Sequence, residues 1–274
     1  ILQCLLACCQ TENYIREFTL SSNLPRLLEE LYSRNSARPH IIKEVRESLG
    51  TCDLFFLSSE QQDAHEALTK LLCILEECTK VNLFYDQLDI TPVYSSVVHQ
   101  YFYGTMKHTY ECIQCHQTTV AIEEFNSLSV EAMANVSSGI EGLSKPSITV
   151  KSCSTCNTIT SHTFLANIFH QPKIMVICIN RFHQLQNGSY VKDDTLVFCD
   201  PIIALPGVAS TSKLVGTVMH KGRTLTSGHY TAMVKANNMW YSCNDIDVHM
   251  MQNVERHLHS REVYLLFYVQ ENLD

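Results

Sequence analysis

The two Cys-x-x-Cys pairs of this chain, Cys112–Cys115 and Cys153–Cys156, constrain its fold more than any other feature. Four thiolates at this spacing suit a tetrahedral Zn²⁺ ion, and a closed set of four cysteines is structural rather than catalytic. Both pairs lie in strand-like segments far apart in the sequence, so the metal would join the tips of a hairpin or sheet. The alternative is four free thiols, although two such pairs are a stronger signal than one.

The remaining cysteines indicate the compartment. The chain has 274 residues and 13 cysteines, an odd number that is scattered outside the two pairs. We therefore expect a reducing compartment, cytoplasmic or nuclear, with free thiols in the core rather than a disulfide framework. The net charge of −8 argues against nucleic acid and anionic membranes as partners. Apolar runs such as Ile174–Ile179 are far too short to span a bilayer.

The order of hydrophobic patterns predicts an α+β fold rather than alternating βαβ units. Residues 1–92 have mainly helical spacing, residues 93–170 contain short strand-like segments, and residues 171–274 contain stronger strands. Ser59 and Gln62 fit a capping box, which predicts the start of a helix near these residues. The segment Tyr94–Tyr103 is rich in Val, Tyr and Phe and predicts a strand.

A segment near the C-terminus predicts a hairpin that carries a histidine and an amide on one face. Asn237 and Asn238 would form a two-residue turn, since Asn tolerates the positive φ that such turns need. In that register His229 and Asn244 are diagonal neighbours, with Cα atoms roughly 7–8 Å apart. An amide oxygen bonded to one ring nitrogen leaves the other nitrogen free to act as a base. The alternative is an ordinary strand histidine and a turn asparagine.

Several further segments accompany these motifs in a fixed order. Together they resemble the ubiquitin-specific proteases, which are papain-like cysteine peptidases that remove ubiquitin. The resemblance implies a helical thumb over residues 1–92, zinc-bearing β fingers over residues 93–170 and a β-rich palm over residues 171–274, all in one domain. The segments that carry it are Gln61–Glu66, the two cysteine pairs, Phe125–Ser129, Gln171–Phe182, Ser227–Thr231, Trp240–Asp245 and Val263–Tyr268.

The resemblance implies a catalytic role for three residues. His229 would be the general base, Asn244 would orient its ring, and the adjacent Asp245 would assist. An uncharged amide holds the imidazole in place but stabilises the imidazolium less than a carboxylate would.

The resemblance also implies three residues that contact the substrate. Asp63 and Glu66 match helix residues that bind the extended, Arg-containing C-terminal tail of ubiquitin, where acidic partners make electrostatic sense. Tyr230 matches a residue that lines the channel for this tail. The alternatives are stabilisation of a helix N-terminus by the two carboxylates and a core position for the tyrosine.

The nucleophile of the family is the feature that this chain lacks. Ile1–Leu5 resembles the second half of the family's cysteine box, so the nucleophilic cysteine would precede Ile1. Cys4, Cys8 and Cys9 fall in an apolar helix, where free cysteines usually act as small hydrophobic residues. We expect this chain by itself to be inactive.

Three functions follow from these observations. The first is a cysteine peptidase that acts on ubiquitin and ubiquitinated proteins and hydrolyses the bond after the C-terminal glycine of ubiquitin. The second is an inactive ubiquitin-binding module of the same fold. The third is a zinc-stabilised interaction domain in which His229 is structural.

Overall fold

Strand pairing in two sheets organises this chain. The computed structural model describes residues 1–11, 24, 27–28, 39–58, 60–79, 81–83, 93–188, 190–224 and 227–271. Over these residues an eight-stranded sheet carries helices on both faces, and a four-stranded sheet lies beside it. No helix among the described residues is long and apolar enough to cross a bilayer.

The helices lie mostly in the first third of the chain, as the sequence predicted. Short 3-10 turns occur at Leu54–Leu57 and Val254–His257. The α-helices of the described residues are α1 (Leu2–Thr11), α2 (Pro39–Cys52), α3 (Ala64–Thr79), α4 (Val97–Phe102) and α5 (Val136–Leu143).

The strands occupy most of the chain after residue 80. In chain order they are β1 (Val81–Leu83), β2 (Val93–Ser95), β3 (Gly104–Cys112), β4 (Thr118–Phe125), β5 (Leu128–Glu131), β6 (Ser147–Cys153), β7 (Thr158–His170), β8 (Ile174–Asn180), β9 (Phe182–Gln184), β10 (Tyr190–Lys192), β11 (Val197–Phe198), β12 (Ile202–Ala204), β13 (Thr211–Thr224), β14 (Ser227–Ala236), β15 (Met239–Asn244), β16 (Asp247–Met250), β17 (His259–Ser260) and β18 (Val263–Gln270).

The large sheet, which we call the palm sheet, has the order β16-β15-β14-β13-β18-β8-β5, and β12 pairs with β13. Neighbours along it are antiparallel except β5 and β8, which are parallel. Six of the seven residues of β8 are buried, and nearly all of β18 is buried, because apolar layers cover both faces. One layer contains α1, α3 and α4, and the other contains α5.

The small sheet, which we call the finger sheet, has the order β4-β3-β7-β6 and is antiparallel throughout. The edge strand β4 is almost entirely exposed. The strand β5 and the helix α5 lie between β4 and β6 in sequence but pack with the palm sheet. The chain therefore leaves the finger sheet and returns to it.

Two local predictions need correction. Ser59 lies outside the described residues, and the helix begins at Ala64, where the Asp63 carboxylate accepts hydrogen bonds from the N–H groups of His65 and Glu66 at 2.9 Å. The predicted strand Tyr94–Tyr103 is wrong over most of its length, because α4 occupies it. The Ser96 hydroxyl accepts from the His99 N–H at 2.9 Å and starts that helix.

Candidate active site and metal centre

The two cysteine pairs meet at one end of the finger sheet. Cys112 ends β3 and Cys153 ends β6, while Cys115 and Cys156 lie in the turns that follow. All four sulfur atoms lie within 4.8 Å of one another, with Cys112 and Cys156 at 3.9 Å and Cys115 and Cys153 at 3.6 Å. A tetrahedral site with Zn–S bonds of about 2.3 Å separates its sulfurs by about 3.8 Å. The cluster therefore fits a metal ion.

Each cysteine turn closes in the same way. The residue after the second cysteine, His116 or Asn157, has a positive φ of 59° or 53°. The Cys112 N–H donates to the Gln117 carbonyl at 3.0 Å, and the His116 N–H donates to the Cys112 carbonyl at 2.8 Å. In the second turn the Cys156 N–H donates to the Cys153 sulfur at 3.5 Å, so both turns direct their cysteines toward one point.

The thiols of the cluster titrate very differently. The Thr160 hydroxyl, 3.3 Å from the Cys112 sulfur, lowers the pKa of that thiol to about 5. Contact with the Cys115 sulfur, together with burial, raises the pKa of Cys156 to about 12. A negative charge on Cys112 contributes to the raised pKa of Cys156, because like charges repel. A divalent cation at the centre would remove that repulsion.

The hairpin of β14 and β15 has the register that the sequence predicted. Ala236 pairs with Met239 and Ala232 with Cys243. Asn237 and Asn238 form the turn with φ values of 49° and 62°. The two adjacent asparagines favour a turn at this position, and so set the hairpin register, because few other residues accept positive φ angles.

The hairpin brings His229 and Asn244 into direct contact. His229 Nε2 lies 2.6 Å from Asn244 Oδ1. An amide oxygen can only accept, so Nε2 carries the hydrogen and Nδ1 is the basic nitrogen. Asp245, in the turn after β15 with a φ of 52°, places a carboxylate oxygen 3.8 Å from Nε2. The His229 side chain is 45% exposed, which leaves Nδ1 open to a reactant.

The described cysteines of α1 are core residues. Cys4 is fully buried, its sulfur lies 3.6 Å from the Thr217 carbonyl, and burial raises its pKa to about 11. Cys8 is also fully buried, and the side chain of Cys9 lies outside the described residues. Neither Cys4 nor Cys8 is placed to react.

The first turn of α1 packs on the same side of the palm sheet as Cys243, the residue before Asn244. Cys4 of that turn and Cys243 are buried in one apolar core. The body of α1 packs on the face of the palm sheet that carries Ala232 and Cys243, whereas His229 belongs to the opposite pleat.

The first turn of α3 lies at the same end of the palm sheet. Asp63 is half-buried, and its second oxygen accepts a hydrogen bond from the Tyr264 hydroxyl at 2.6 Å. Gln61 donates to the Gly228 carbonyl, next to His229. Glu66 is exposed one turn along the helix, with its carboxylate toward solvent. The structure thus gives Asp63 a capping role, and it leaves Glu66 available to a ligand.

Tyr230 fills the space between α3 and the palm sheet. Its half-buried ring packs against His220, with ring centres 4.8 Å apart, and against Tyr264 at 6.3 Å. Burial raises the pKa of Tyr230, and the Asp63 carboxylate raises it further. The residue therefore packs against the core, directly next to His229 in sequence.

Two residues of this region, Tyr264 and His220, were not among the site residues predicted from the sequence. His220 is buried, burial and Lys192 lower its pKa, and neither ring nitrogen has a hydrogen-bond partner among the described residues. Its ring lies against Gly228, where any Cβ would also come within 2.7 Å of the Lys221 carbonyl. The available sequence signal for this close contact was Gly228 before His229, because a residue without a Cβ lets the His220 ring approach the backbone.

The sequence matches one protein family along almost its whole length. The profile described as ubiquitin carboxyl-terminal hydrolase matches residues 1–268. The human ubiquitin carboxyl-terminal hydrolase 17-like protein 1 is 23% identical over 235 residues, which are 79% of this chain and 42% of that protein. Ubiquitin carboxyl-terminal hydrolase 25 of Arabidopsis thaliana is 26% identical over 238 residues, 79% of this chain and 34% of that protein. The chain thus spans less than half the length of these relatives.

The fold is similar to that of solved structures with the same kind of domain. The SAGA Ubp8/Sgf11/Sus1/Sgf73 DUB module bound to ubiquitin aldehyde matches with a TM-score of 0.80 and 19% identity, over 100% of this chain and 67% of that chain. A SAGA DUB module bound to monoubiquitin matches with a TM-score of 0.80 and 21% identity, over 100% and 66%. At these identities the likeness concerns the fold.

Proposed function

Because the chain belongs to the ubiquitin carboxyl-terminal hydrolase family and has the fold of its ubiquitin-specific proteases, we propose that it is the catalytic domain of a deubiquitinase. The reaction is hydrolysis of the isopeptide or peptide bond after the C-terminal glycine of ubiquitin. The observation that carries this proposal is the 2.6 Å hydrogen bond between His229 and Asn244 at the open end of the palm sheet. Its partners are ubiquitin and ubiquitinated proteins.

The nucleophile in this proposal is a cysteine that precedes Ile1 in the intact protein. His229 Nδ1 takes the proton of that thiol, and the thiolate attacks the glycine carbonyl. The imidazolium then gives its proton to the leaving amine, which departs and leaves a thioester. Nδ1 next accepts a proton from water as the water attacks the thioester, and this step releases ubiquitin and the thiol. Asn244 holds the ring throughout by accepting from Nε2.

The position of α1 supports this arrangement. Cys4 in its first turn shares an apolar core with Cys243, the residue before Asn244, so the residues that precede Ile1 would start from this side of the palm sheet. The positive end of a helix dipole also lowers the pKa of a thiol placed there.

The cleft between α3 and the palm sheet is the proposed path of the ubiquitin tail. Asp63 and Glu66 would attract its arginines, and Tyr230 would pack against its backbone. The exposed apolar side chains on one face of the finger sheet, among them Val120, Ile122 and Val150, add contact area for a folded partner.

The metal in this proposal is one structural Zn²⁺ ion bound by Cys112, Cys115, Cys153 and Cys156. It takes no part in the reaction, because the four thiolates leave no open coordination position. We also propose a cytoplasmic or nuclear location, since none of the described cysteines forms a disulfide.

The test uses the intact protein and ubiquitin that carries a fluorogenic amide at its C-terminus. We expect His229→Ala to lower kcat/KM by a factor of about 10²–10⁴, because general acid–base catalysis contributes this much. His249→Ala, an exposed histidine of β16, is the matched control and should retain full activity. Full activity of His229→Ala would refute the proposal.

A second candidate function is ubiquitin binding without hydrolysis. It is favoured by the burial of Cys4 and Cys8, which leaves no reactive thiol in the described part of α1. The residue upstream of Ile1 decides between the two functions. An intact protein without a cysteine there, which still binds ubiquitin, would be a binding module.

A further inference from the structure

A cavity of about 430 Å³ lies on the face of the palm sheet that carries His229 and Asn244. Its floor includes Met219, Thr231 and Met233. Met219 pairs with Thr231, and Lys221, also at the cavity, pairs directly with His229. The cavity therefore begins beside His229, which pairs with a lining residue but does not itself line the cavity. Its volume lies in the range of roughly 300–1,000 Å³ that is typical of ligand sites.

The opposite wall is the segment of residues 251–262. Met251 adds a third methionine to the cavity, and such side chains adapt to apolar ligands of different shape. The rim is basic, with Lys221, Arg256 and His257, and one acid, Glu262, lies 4.0 Å from Lys221.

Arg256 makes the rim attractive to an anion. It is exposed, and within the described part of the chain no carboxylate oxygen lies within 4.0 Å of it. A chain with a net charge of −8 repels acidic segments over most of its surface. Arg256, which has no such partner in the described chain, is therefore a local exception. Beside a mainly polar lining that includes three methionines, it would favour a ligand with a carboxylate next to an apolar side chain.

The alternation of β14 places this cavity relative to the substrate, given the proposed function. Tyr230, on the α3 side, walls the cleft for the ubiquitin tail, whereas His229 points to the other pleat. Under the proposed function the ubiquitin tail would lie on the α3 side, and the amine half of the scissile bond would then lie on the side of His229, Lys221 and Thr231.

We propose that this cavity binds the polypeptide on the amine side of the scissile bond, through a segment with an apolar side chain flanked by acidic residues. The site would make the enzyme select among ubiquitinated proteins. The identity of the ligand as the polypeptide joined to ubiquitin rests on the proposed function. Its apolar and acidic character rests on the residues of the cavity.

The first test measures binding to the 274-residue chain and needs no catalysis. The probe is a fluorescent decapeptide with one leucine flanked by aspartate and glutamate, and its affinity is read by anisotropy. We expect saturable binding that Arg256→Glu weakens about tenfold, because a charge reversal turns attraction into repulsion. Replacing the leucine of the peptide by serine should also weaken binding.

The control is Lys145→Glu, the same charge reversal at an exposed site after α5, which should leave the affinity unchanged. Arg256→Gln, which only removes the charge, should have an intermediate effect. Absence of saturable binding up to about 1 mM, or an equal effect of Arg256→Glu and Lys145→Glu, would overturn the proposal.

The second test uses the intact protein and ubiquitin linked through a lysine to an acidic or a basic peptide. We expect Arg256→Glu to lower the ratio of kcat/KM for the acidic over the basic conjugate about tenfold, and Lys145→Glu to leave it unchanged. An unchanged ratio in Arg256→Glu would count against the cavity. Failure to cleave either conjugate would instead refute the proposed function, and the binding assay would still test the cavity.

Discussion

The finger tip and the open end of the palm sheet show two ways to build a site from similar strands. At the finger tip, four cysteines from two turns lie within 4.8 Å of one another and need only an ion. At the palm end, His229 and Asn244 also meet across a hairpin, but they are exposed and depend on residues from other elements. The first site is complete in itself, and the second is completed by what packs around it.

This difference determines how each site responds when one of its stabilising contacts is lost. The finger sheet has an exposed edge strand and contributes little to the two apolar cores, so under the proposal of a bound zinc ion we expect the metal to be its main source of stability. The palm end is joined to α3 by hydrogen bonds and ring contacts that involve Tyr264, Gln61 and Tyr230. Loss of one contact at the palm end should therefore displace the His229–Asn244 pair rather than unfold the palm sheet.

The largest effect should follow from breaking the finger-tip cluster. Cys112→Ser is expected to abolish stoichiometric zinc and to destabilise the finger sheet by several kcal/mol, because structural zinc contributes on the order of 10 kcal/mol to small domains. Zinc analysis and hydrogen exchange of β3, β4, β6 and β7 measure this. Cys52→Ser, an exposed cysteine of α2, should change neither. If Cys112→Ser lacked zinc but kept the hydrogen-exchange protection of the finger sheet, the finger tip would not depend on a metal for its stability.

A smaller effect should follow from cutting the link between α3 and the palm sheet. Tyr264→Phe removes a hydrogen bond to the Asp63 carboxylate and should lower the free energy of unfolding by about 1.5–3 kcal/mol, as expected for a charged acceptor. Tyr268→Phe on the same strand removes a bond to the neutral Asp200 carbonyl and should cost about 0.5–1.5 kcal/mol. Denaturant unfolding compares them, and equal losses would argue against a charged Asp63 at this position.

The smallest effect concerns the orienting residue. Asn244→Asp replaces a neutral acceptor by a carboxylate, which should favour the imidazolium by about 1 kcal/mol and raise kcat/KM about fivefold. Asn238→Asp makes the same change in the hairpin turn, away from the pair, and controls for added charge. A decrease in kcat/KM for Asn244→Asp would mean that repulsion from Asp245, beside it, outweighs this gain.

Local chemistry explains which predictions from the sequence succeeded. The hairpin register follows from two adjacent asparagines, and β8 from an unbroken apolar run. The strand predicted at Tyr94–Tyr103 failed because Val, Tyr and Phe suit both strands and buried helices. There the decisive signal was the capping hydroxyl of Ser96.

The candidate site was predictable to different extents for different residues. His229 and Asn244 lie on one hairpin, 15 residues apart, so their pairing follows from the turn. Tyr264 binds Asp63 across 201 residues, and no local pattern announces that contact. The buried position of His220 was likewise invisible, because its neighbours come from separate strands.

The sequence by itself predicted the four cysteines of the cluster, the register that joins His229 to Asn244 and the family of the chain. Each of these depends on residue identity and spacing along short segments, where chain geometry leaves few options. Only the tertiary structure decided that the start of α3 packs beside His229 and that a cavity with a basic rim and three methionines lies on the face of the palm sheet that carries His229. Those features depend on how distant layers pack, and packing is fixed by the whole core at once rather than by any one segment.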